Sequence, residues 1–316
     1  MILSSILIIV GFILLIVGAD LLVDGSSGIA KKFHIPEIII GLTIVSIGTS
    51  MPELFVSITS ALEGHSDMAI GNIIGSNLSN LLLILGLSAT IKPVVFQKET
   101  RLYEIPMCLI VTIILMLFCN TGNGITKAES VVLLIMFCFF IGYTIYMAKK
   151  ESKKEIVEIK VENEKNNGII KNILFIVLGI LGLKFGGDLT VDNAVDVANY
   201  FNLSEKLISL TILAIGTSLP ELVTSVTAAI KGNSDIAIGN IIGSNIFNIL
   251  LIIGISAFIT PITYNFTYNF DFCILLISSI ILALFPFIPP KDEMSRTNGI
   301  IYLLIYFAYI ITVCVK

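Results

Sequence analysis

The sequence is poor in the residues on which soluble enzymes and metalloproteins rely. Only 13% of its 316 residues are charged, whereas a soluble domain has roughly 25%. It has two histidines, His34 and His65, so a histidine-based metal or catalytic centre is not expected. The motifs H-E-x-x-H and G-x-S-x-G are absent. We therefore expect neither enzymatic activity nor a cofactor.

The five cysteines contain no C-x-x-C pair, which argues against a disulfide framework or a thiolate metal site. The N-terminal segment lacks the basic region of a signal peptide, and its apolar run is long for one. We interpret this segment as the first of several membrane spans.

Apolar residues are abundant instead, at 56% of the chain, with a mean hydropathy of +0.98. Runs of about 20 apolar residues, each long enough to cross a bilayer core, recur along the chain. The fold class predicted is an all-α polytopic membrane protein embedded in the lipid bilayer. Ten spans are predicted: 2–22, 36–62, 68–91, 103–119, 126–148, 171–189, 204–230, 235–260, 270–288 and 298–315.

One strongly polar stretch divides these spans five and five. It predicts three parts: a first repeat (1–148), a charged linker (149–170) and a second repeat (171–316). Most of the 19 Lys and Arg residues fall in loops on one side if the N-terminus is outside. We therefore expect both termini outside the cell membrane and the linker in the cytoplasm.

The two halves are copies of one unit. Residues 41–93 align without a gap with residues 209–261, and 34 of the 53 positions are identical. Because each half has an odd number of spans, the second copy must enter the membrane in the opposite orientation. Inverted repeats with broken helices are typical of secondary transporters, which bind their substrate near the midplane.

The stretch "IGTSMPELF" (47–55) and its copy "IGTSLPELV" (215–223) place a proline and a glutamate inside an apolar span. Pro52 removes a backbone hydrogen bond and opens the helix. The freed carbonyl groups survive in a membrane only in a protein interior or beside a cavity. Oxygen donors cluster at each break: Thr49, Ser50 and Glu53 in the first copy, and Thr217, Ser218 and Glu221 in the second. Such hard oxygens suit Ca²⁺, Mg²⁺ or Na⁺.

The next span contains "GNIIGSNLSN" (71–80) and its copy "GNIIGSNIFN" (239–248). Helical spacing puts three polar residues of each copy on one face: Asn72, Ser76 and Asn80, and Asn240, Ser244 and Asn248. Asn77 and Asn245 lie off this face, and we expect a structural role for them. Ser57 and Ser225 are expected to bond only to the backbone.

An acid at the centre of a bilayer costs about 3 kcal/mol even on the mildest scale, which makes Glu53 and Glu221 functional candidates. Two carboxylates that face each other repel unless cations neutralise them. One Ca²⁺ or two Na⁺ would neutralise the two carboxylates equally, which favours a protein that exchanges Ca²⁺ for Na⁺. Asp20, Asp24, Asp188 and Asp192, by contrast, are expected at solvated span ends.

Together, G-T-S-x-P-E and G-S-N-x-x-N in two inverted five-span halves resemble the calcium/cation antiporter superfamily, and within it the prokaryotic sodium/calcium exchangers. The resemblance covers essentially the whole chain. It implies a core of spans 2–5 and 7–10, with spans 1 and 6 as a sliding gating pair. It also implies ion ligands at Thr49, Ser50, Glu53, Ser76, Asn80, Thr217, Ser218, Glu221, Ser244 and Asn248, and backbone carbonyl ligands at Ser46 and Ala214.

Two positions depart from the family pattern. Some relatives have Asp where this chain has Asn248, and a close relative has Ala where it has Ser46. The first departure leaves H⁺ or K⁺ involvement open, and the second adds a hydroxyl that bears on a Na⁺ site. The alternatives are a proton-coupled Ca²⁺ exchanger on the same scaffold and a cation channel. We expect inorganic cations as partners, no nucleic acid, and a monomer.

Overall fold

A computed structural model describes residues 2–63, 66–122, 124–158, 168–201 and 216–315. Within these ranges, eight helices are long and apolar enough to cross a membrane. A ninth candidate span is the pair Glu37–Thr49 and Met51–Leu62, which is bent by 50°. The predicted span 204–230 lies partly outside the described residues, so its first half is not seen.

The α-helices are α1 (Ile2–Phe33), α2 (Glu37–Ile40), α3 (Ser46–Thr49), α4 (Met51–Leu62), α5 (Ser66–Leu78), α6 (Gly86–Ile91), α7 (Ile105–Thr121), α8 (Lys127–Glu158), α9 (Ile169–Tyr200), α10 (Leu219–Lys231), α11 (Ser234–Phe247), α12 (Gly254–Ile259), α13 (Asn269–Leu284) and α14 (Arg296–Val315). Four π-helical segments join some of them: π1 (Gly41–Val45), π2 (Ser79–Leu85), π3 (Thr100–Glu104) and π4 (Asn248–Ile253). Short 3₁₀ turns cover Phe266–Tyr268 and Phe285–Phe287.

The centre of the molecule is formed by the two spans that carry the second motif. Ala69–Ile91 and Ser234–Ile259 are the most buried of the membrane-length helices. Their apolar side chains, such as Ile73, Leu81 and Ile241, are fully buried in the larger hydrophobic core. The other membrane-length helices surround them and expose apolar side chains, as expected of helices that face lipid.

Two short antiparallel strand pairs connect the copies. β1 (Val94–Val95) pairs with β4 (Glu293–Met294), and β2 (Gly124–Ile125) pairs with β3 (Ile262–Thr263). The repeat offset of 168 residues converts β1 into β3, and β2 into β4 within one residue. Each pair therefore joins one strand of the first copy to the non-equivalent strand of the second.

Helices α1 and α9 pack against each other along their lengths through glycines. A Cβ atom on Gly18 would lie 2.9 Å from the carbonyl oxygen of Gly179, and one on Gly11 would lie 2.9 Å from that of Gly186. Real side chains do not approach so closely, so only glycine permits this contact between backbones.

Three helices extend beyond their predicted bounds. α1 continues to Phe33 rather than ending near residue 22, and α9 continues to Tyr200 rather than 189. α8 reaches Glu158, inside the predicted linker. The aspartates that were expected at span ends instead lie within the helices. Gly25 and Gly28 lie against Asn172 of α9, so that helix packing overrides their weak helix propensity.

Candidate cation site

The first proline motif breaks its helix where the sequence predicted, and in the second copy a helix begins at the matching position. In the first copy α3 ends at Thr49, Ser50 leaves the helical conformation with φ −83° and ψ 10°, and α4 begins at Met51. In the second copy α10 begins at Leu219, directly after Ser218 with φ −89° and ψ 6°. Both prolines stand in the first turn of the following helix, where their missing N–H costs nothing.

Glu53 and Glu221 both lie inside the protein, each with 1% of its surface exposed. The two copies bond across the site, because Ser50 Oγ of the first copy donates to Glu221 Oε1 of the second at 2.8 Å. Ser76 Oγ donates to Glu53 Oε1 at 3.4 Å. The two carboxylates are close enough for their charges to repel. The sequence-predicted acids are thus brought into one cluster.

Several buried oxygens of the motif residues have no hydrogen-bond partner among the described residues. They are Glu53 Oε2, Glu221 Oε2, Asn80 Oδ1, Asn248 Oδ1, Thr217 Oγ1, Ser218 Oγ and Ser244 Oγ. Thr217 and Ser244 lie beside Glu53 and Glu221 respectively. Buried polar atoms are normally satisfied. Unpaired oxygens around two acids form a donor set that suits a hard cation, and Ca²⁺ takes six to eight oxygen ligands.

The described residues contain no group of three or more His, Cys, Asp or Glu able to hold a metal. Hydroxyl and amide oxygens therefore supply most of the donors here, with two carboxylates for charge. A site of this composition is built for a hard ion and offers no soft ligand.

The structure describes only one of the two residues expected to offer a backbone carbonyl, Ser46 and Ala214. Ser46 is buried in α3, and its carbonyl oxygen already accepts from Thr49 Oγ1 at 3.3 Å and from the Ser50 amide at 3.0 Å. The Ser46 hydroxyl donates to the carbonyls of Leu42 and Thr43. Ala214 lies outside the described residues.

The prediction for Ser57 and Ser225 was wrong, because each hydroxyl bonds to a side chain of the second motif. Asn72 Nδ2 donates to Ser57 Oγ at 3.2 Å, and Asn240 Nδ2 donates to Ser225 Oγ at 2.9 Å. Asn240 Oδ1 in turn accepts from Thr49 Oγ1 at 3.0 Å. The helix that carries each glutamate is therefore tied to the second-motif helix of its own copy.

The π-helical segments were also absent from the sequence prediction. π1 precedes the first break, while π2 contains Asn80 and π4 starts at Asn248. A π turn widens the helix and shifts which face a side chain occupies, and such turns are frequent at functional sites. Here they set the positions of the two asparagines.

Asp20 and Asp24 have exposed side chains as predicted, but they do not lie at a helix end. They lie within α1, and Lys231 at the end of α10 reaches both, with Nζ–Oδ1 distances of 2.6 Å. Burial lowers the pKa of Lys231, but the hydrogen bonds and charges of the two aspartates raise it by more. The ion pair joins the α1/α9 pair to the helix of Glu221.

The fold and the site define a class, that of membrane proteins in which two proline-containing motifs bring acids and neutral oxygens to a buried centre. A family model described as "Sodium/calcium exchanger protein" matches residues 3–146 and 171–315. The chain belongs to this family, and it is a transporter rather than an enzyme.

Similar proteins agree over nearly the full length. Inner membrane protein YrbG of Escherichia coli (strain K12) is 37% identical over 289 residues, which covers 90% of this chain and 89% of that protein. Sodium/calcium exchanger MaX1 of Methanosarcina acetivorans is 28% identical and covers 98% of this chain and 97% of its own. A solved structure of the sodium-calcium exchanger NCX_Mj, soaked with Na⁺ and Ca²⁺, superposes with a TM-score of 0.84 at 31% identity, covering 98% of both chains.

Proposed function

We propose that this protein exchanges Na⁺ for Ca²⁺ across the cell membrane by alternating access, and that it normally extrudes Ca²⁺. The observation that carries the proposal is the pair of buried carboxylates, Glu53 and Glu221, together with motif oxygens that have no partner in the described part of the chain. Their combined charge is balanced by one Ca²⁺ or by two Na⁺. Either load lets the site change sides, whereas the empty, doubly charged site resists the transition because its charge is unbalanced in a low dielectric.

The topology proposed is ten spans in two inverted five-span copies, with both termini outside and the 149–170 linker inside. The strand pairs support it, because β1 with β4 and β2 with β3 are loops that inverted copies would place on the same side of the membrane. The glycine contact between α1 and α9 supports a gating pair formed by spans 1 and 6, because backbones in contact present no side chains that interlock.

The ligands proposed are the ten motif side chains and two backbone carbonyls of the family pattern. Nine of these ten side chains are buried and Thr217 is partly buried, and seven of the ten have an oxygen with no partner among the described residues, which supports the assignment. The carbonyls of Ser46 and Ala214 rest on the sequence resemblance alone.

The function is tested by ⁴⁵Ca²⁺ uptake into proteoliposomes that are loaded with Na⁺ and diluted into Na⁺-free buffer. Uptake that requires internal Na⁺ is the expected result. The same vesicles are run with a pH gradient and no Na⁺. Uptake driven only by the pH gradient would replace the proposal by a proton-coupled exchanger, and single-channel conductance in a planar bilayer would replace it by a channel.

A further inference from the structure

Four asparagines meet where the second-motif helices of the two copies touch. Asn80 Nδ2 donates to Asn245 Oδ1, and Asn248 Nδ2 donates to Asn77 Oδ1, both at 2.9 Å. Asn77 Nδ2 donates to the Asn245 carbonyl, and Asn245 Nδ2 to the Asn77 carbonyl, both at 3.4 Å. Each residue has 1% of its surface exposed. The network is closed, symmetric and shielded from water.

The backbone carbonyls determine which way every amide in this network points. A carbonyl oxygen only accepts hydrogen bonds, so Asn77 and Asn245 must each turn Nδ2 toward it. Their Oδ1 atoms then face the neighbouring side chains. Asn80 and Asn248 must therefore donate hydrogen bonds from their own Nδ2 groups to these acceptors.

This arrangement of the amides also determines where the side-chain oxygens of Asn80 and Asn248 point. With Nδ2 committed to the network, Oδ1 of each residue points elsewhere, and both atoms are buried without a hydrogen-bond partner in the described part of the chain. These are two of the unpaired oxygens among the motif residues proposed as cation ligands. The residues proposed as ligands and the residues that orient them are therefore different.

We propose that Asn77 and Asn245 are positioning residues, which hold the amide oxygens of Asn248 and Asn80, respectively, toward the cation. The proposal deepens the proposed function and rests on it. Asn77 acts on Asn248 and Asn245 acts on Asn80, so each copy orients a ligand of the other. The cross-copy arrangement couples the two halves of the site through neutral groups.

The same network specifies an amide at positions 80 and 248. A carboxylate at residue 248 would place an acceptor oxygen opposite Asn77 Oδ1, which is also an acceptor. Two acceptors without a proton between them repel. The chain thus combines Asn at both positions with Asn77 and Asn245, and the site carries the charge of its two glutamates.

The test is a double-mutant cycle on Ca²⁺ affinity, measured by equilibrium ⁴⁵Ca²⁺ binding to purified full-length protein in detergent. Asn245→Leu is similar in size and removes the acceptor for Asn80; we expect Kd to rise about tenfold, as for one lost hydrogen bond. Asn80→Ala removes the ligand itself. If Asn245 acts through Asn80, the double variant N245L/N80A binds Ca²⁺ no more weakly than N80A alone.

Asn77→Leu is the matched control, because it removes the acceptor for Asn248 and leaves the backbone carbonyl that orients Asn245. N77L and N80A should therefore add their losses, whereas N245L and N80A should not. Additive losses in both cycles would reduce Asn77 and Asn245 to packing residues and overturn the proposal. If N245L does not fold, Asn245→Ser enters the same cycle.

Binding and transport separate the two proposals. If wild-type vesicles show no Na⁺-dependent uptake while the binding cycle is non-additive, the function fails and the positioning role stands. If wild-type uptake requires Na⁺ but the cycle is additive, the positioning role alone fails.

Discussion

Thr49 and Thr217 occupy the same position in the two copies of the repeat, but their surroundings differ. Thr49 donates to Asn240 and its neighbour Ser50 donates to Glu221. Thr217 and Ser218 have buried hydroxyls with no partner among the described residues. In the first copy these hydroxyls are thus held by hydrogen bonds to the other copy, while within the described residues the hydroxyls of the second copy are not. Sequence identity between copies does not make their roles identical in a given state.

The copies differ again at the far ends of the glutamate helices. Lys231 ends α10 and pairs with Asp20 and Asp24 of α1. The repeat offset places Glu63 at the position of Lys231, and Asp188 and Asp192 at those of the two aspartates. An ion pair at one end therefore corresponds to three acids at the other. The centre is matched between copies, while the ends are not.

The strongest test of the matched centre is to neutralise each acid in turn. Glu53→Gln and Glu221→Gln should each reduce ⁴⁵Ca²⁺ uptake by about 100-fold or more, because a buried divalent cation then loses half of its balancing charge. Glu104→Gln is the control, since Glu104 is buried but bonds to Tyr143 rather than to the site. Normal uptake in either site variant would mean that the copies do not share one site.

The difference between the two breaks is tested with an isosteric pair. Thr49→Val removes a buried hydrogen bond and leaves Asn240 Oδ1 unpaired, so we expect a loss of about 1–3 kcal/mol in stability without Ca²⁺ or Na⁺. Thr217→Val removes no hydrogen bond found among the described residues and should leave that stability unchanged. Thermal unfolding in detergent measures both. Equal shifts in Tm would remove the distinction between the copies.

Breaking the ion pair at the end of α10 should have a smaller effect on the exchange rate. Lys231→Gln breaks contacts that are partly exposed, and exposed pairs contribute up to about 1 kcal/mol, so the exchange rate should change by no more than about fivefold. The change should shrink at high ionic strength, because salt screens exposed charges. Glu63→Gln serves as the comparison and should not show the same loss. An effect of Lys231→Gln that salt leaves unaltered would contradict this reading.

The smallest effect is expected at Ser46, where the first copy differs from the alanine of the second. Its hydroxyl bonds to backbone carbonyls within its own helix, a common arrangement of little net energy. Ser46→Ala should change the Ca²⁺ and Na⁺ affinities by less than about twofold, since one such bond contributes little. Calorimetric titration with each ion measures this, and a larger change would show that the hydroxyl contacts an ion.

Much of this architecture could be predicted from the sequence. Proline and glycine inside apolar runs have direct steric consequences, and the helix break at Ser50 and the start of α10 at Leu219 lie where Pro52 and Pro220 indicated. Burial of Glu53 and Glu221 followed from the cost of placing an acid in lipid. These predictions depended on neighbours along the chain, which the sequence shows directly.

The predictions that failed depended on neighbours in space. The length of α1 is set by its glycine contact with α9, and the partners of Ser57 and Ser225 lie on the following span. The π segments have no sequence signal comparable to proline. The structural role predicted for Asn77 and Asn245 agrees with their hydrogen bonds between the two helices, but the direction of each amide depends on a carbonyl of the other copy, which the sequence does not show.

The strand pairs bear on whether the two halves must belong to one continuous chain in order to assemble. Each pair takes one strand from each half, and α1 lies against α9. Noncovalent contacts between the part of the chain before the linker and the part after it thus hold the halves together. Cleavage between 158 and 168 would cut none of these contacts. Two separately made halves would then have complementary surfaces for reassembly, whereas either half alone would leave both of its strands without a hydrogen-bonding partner.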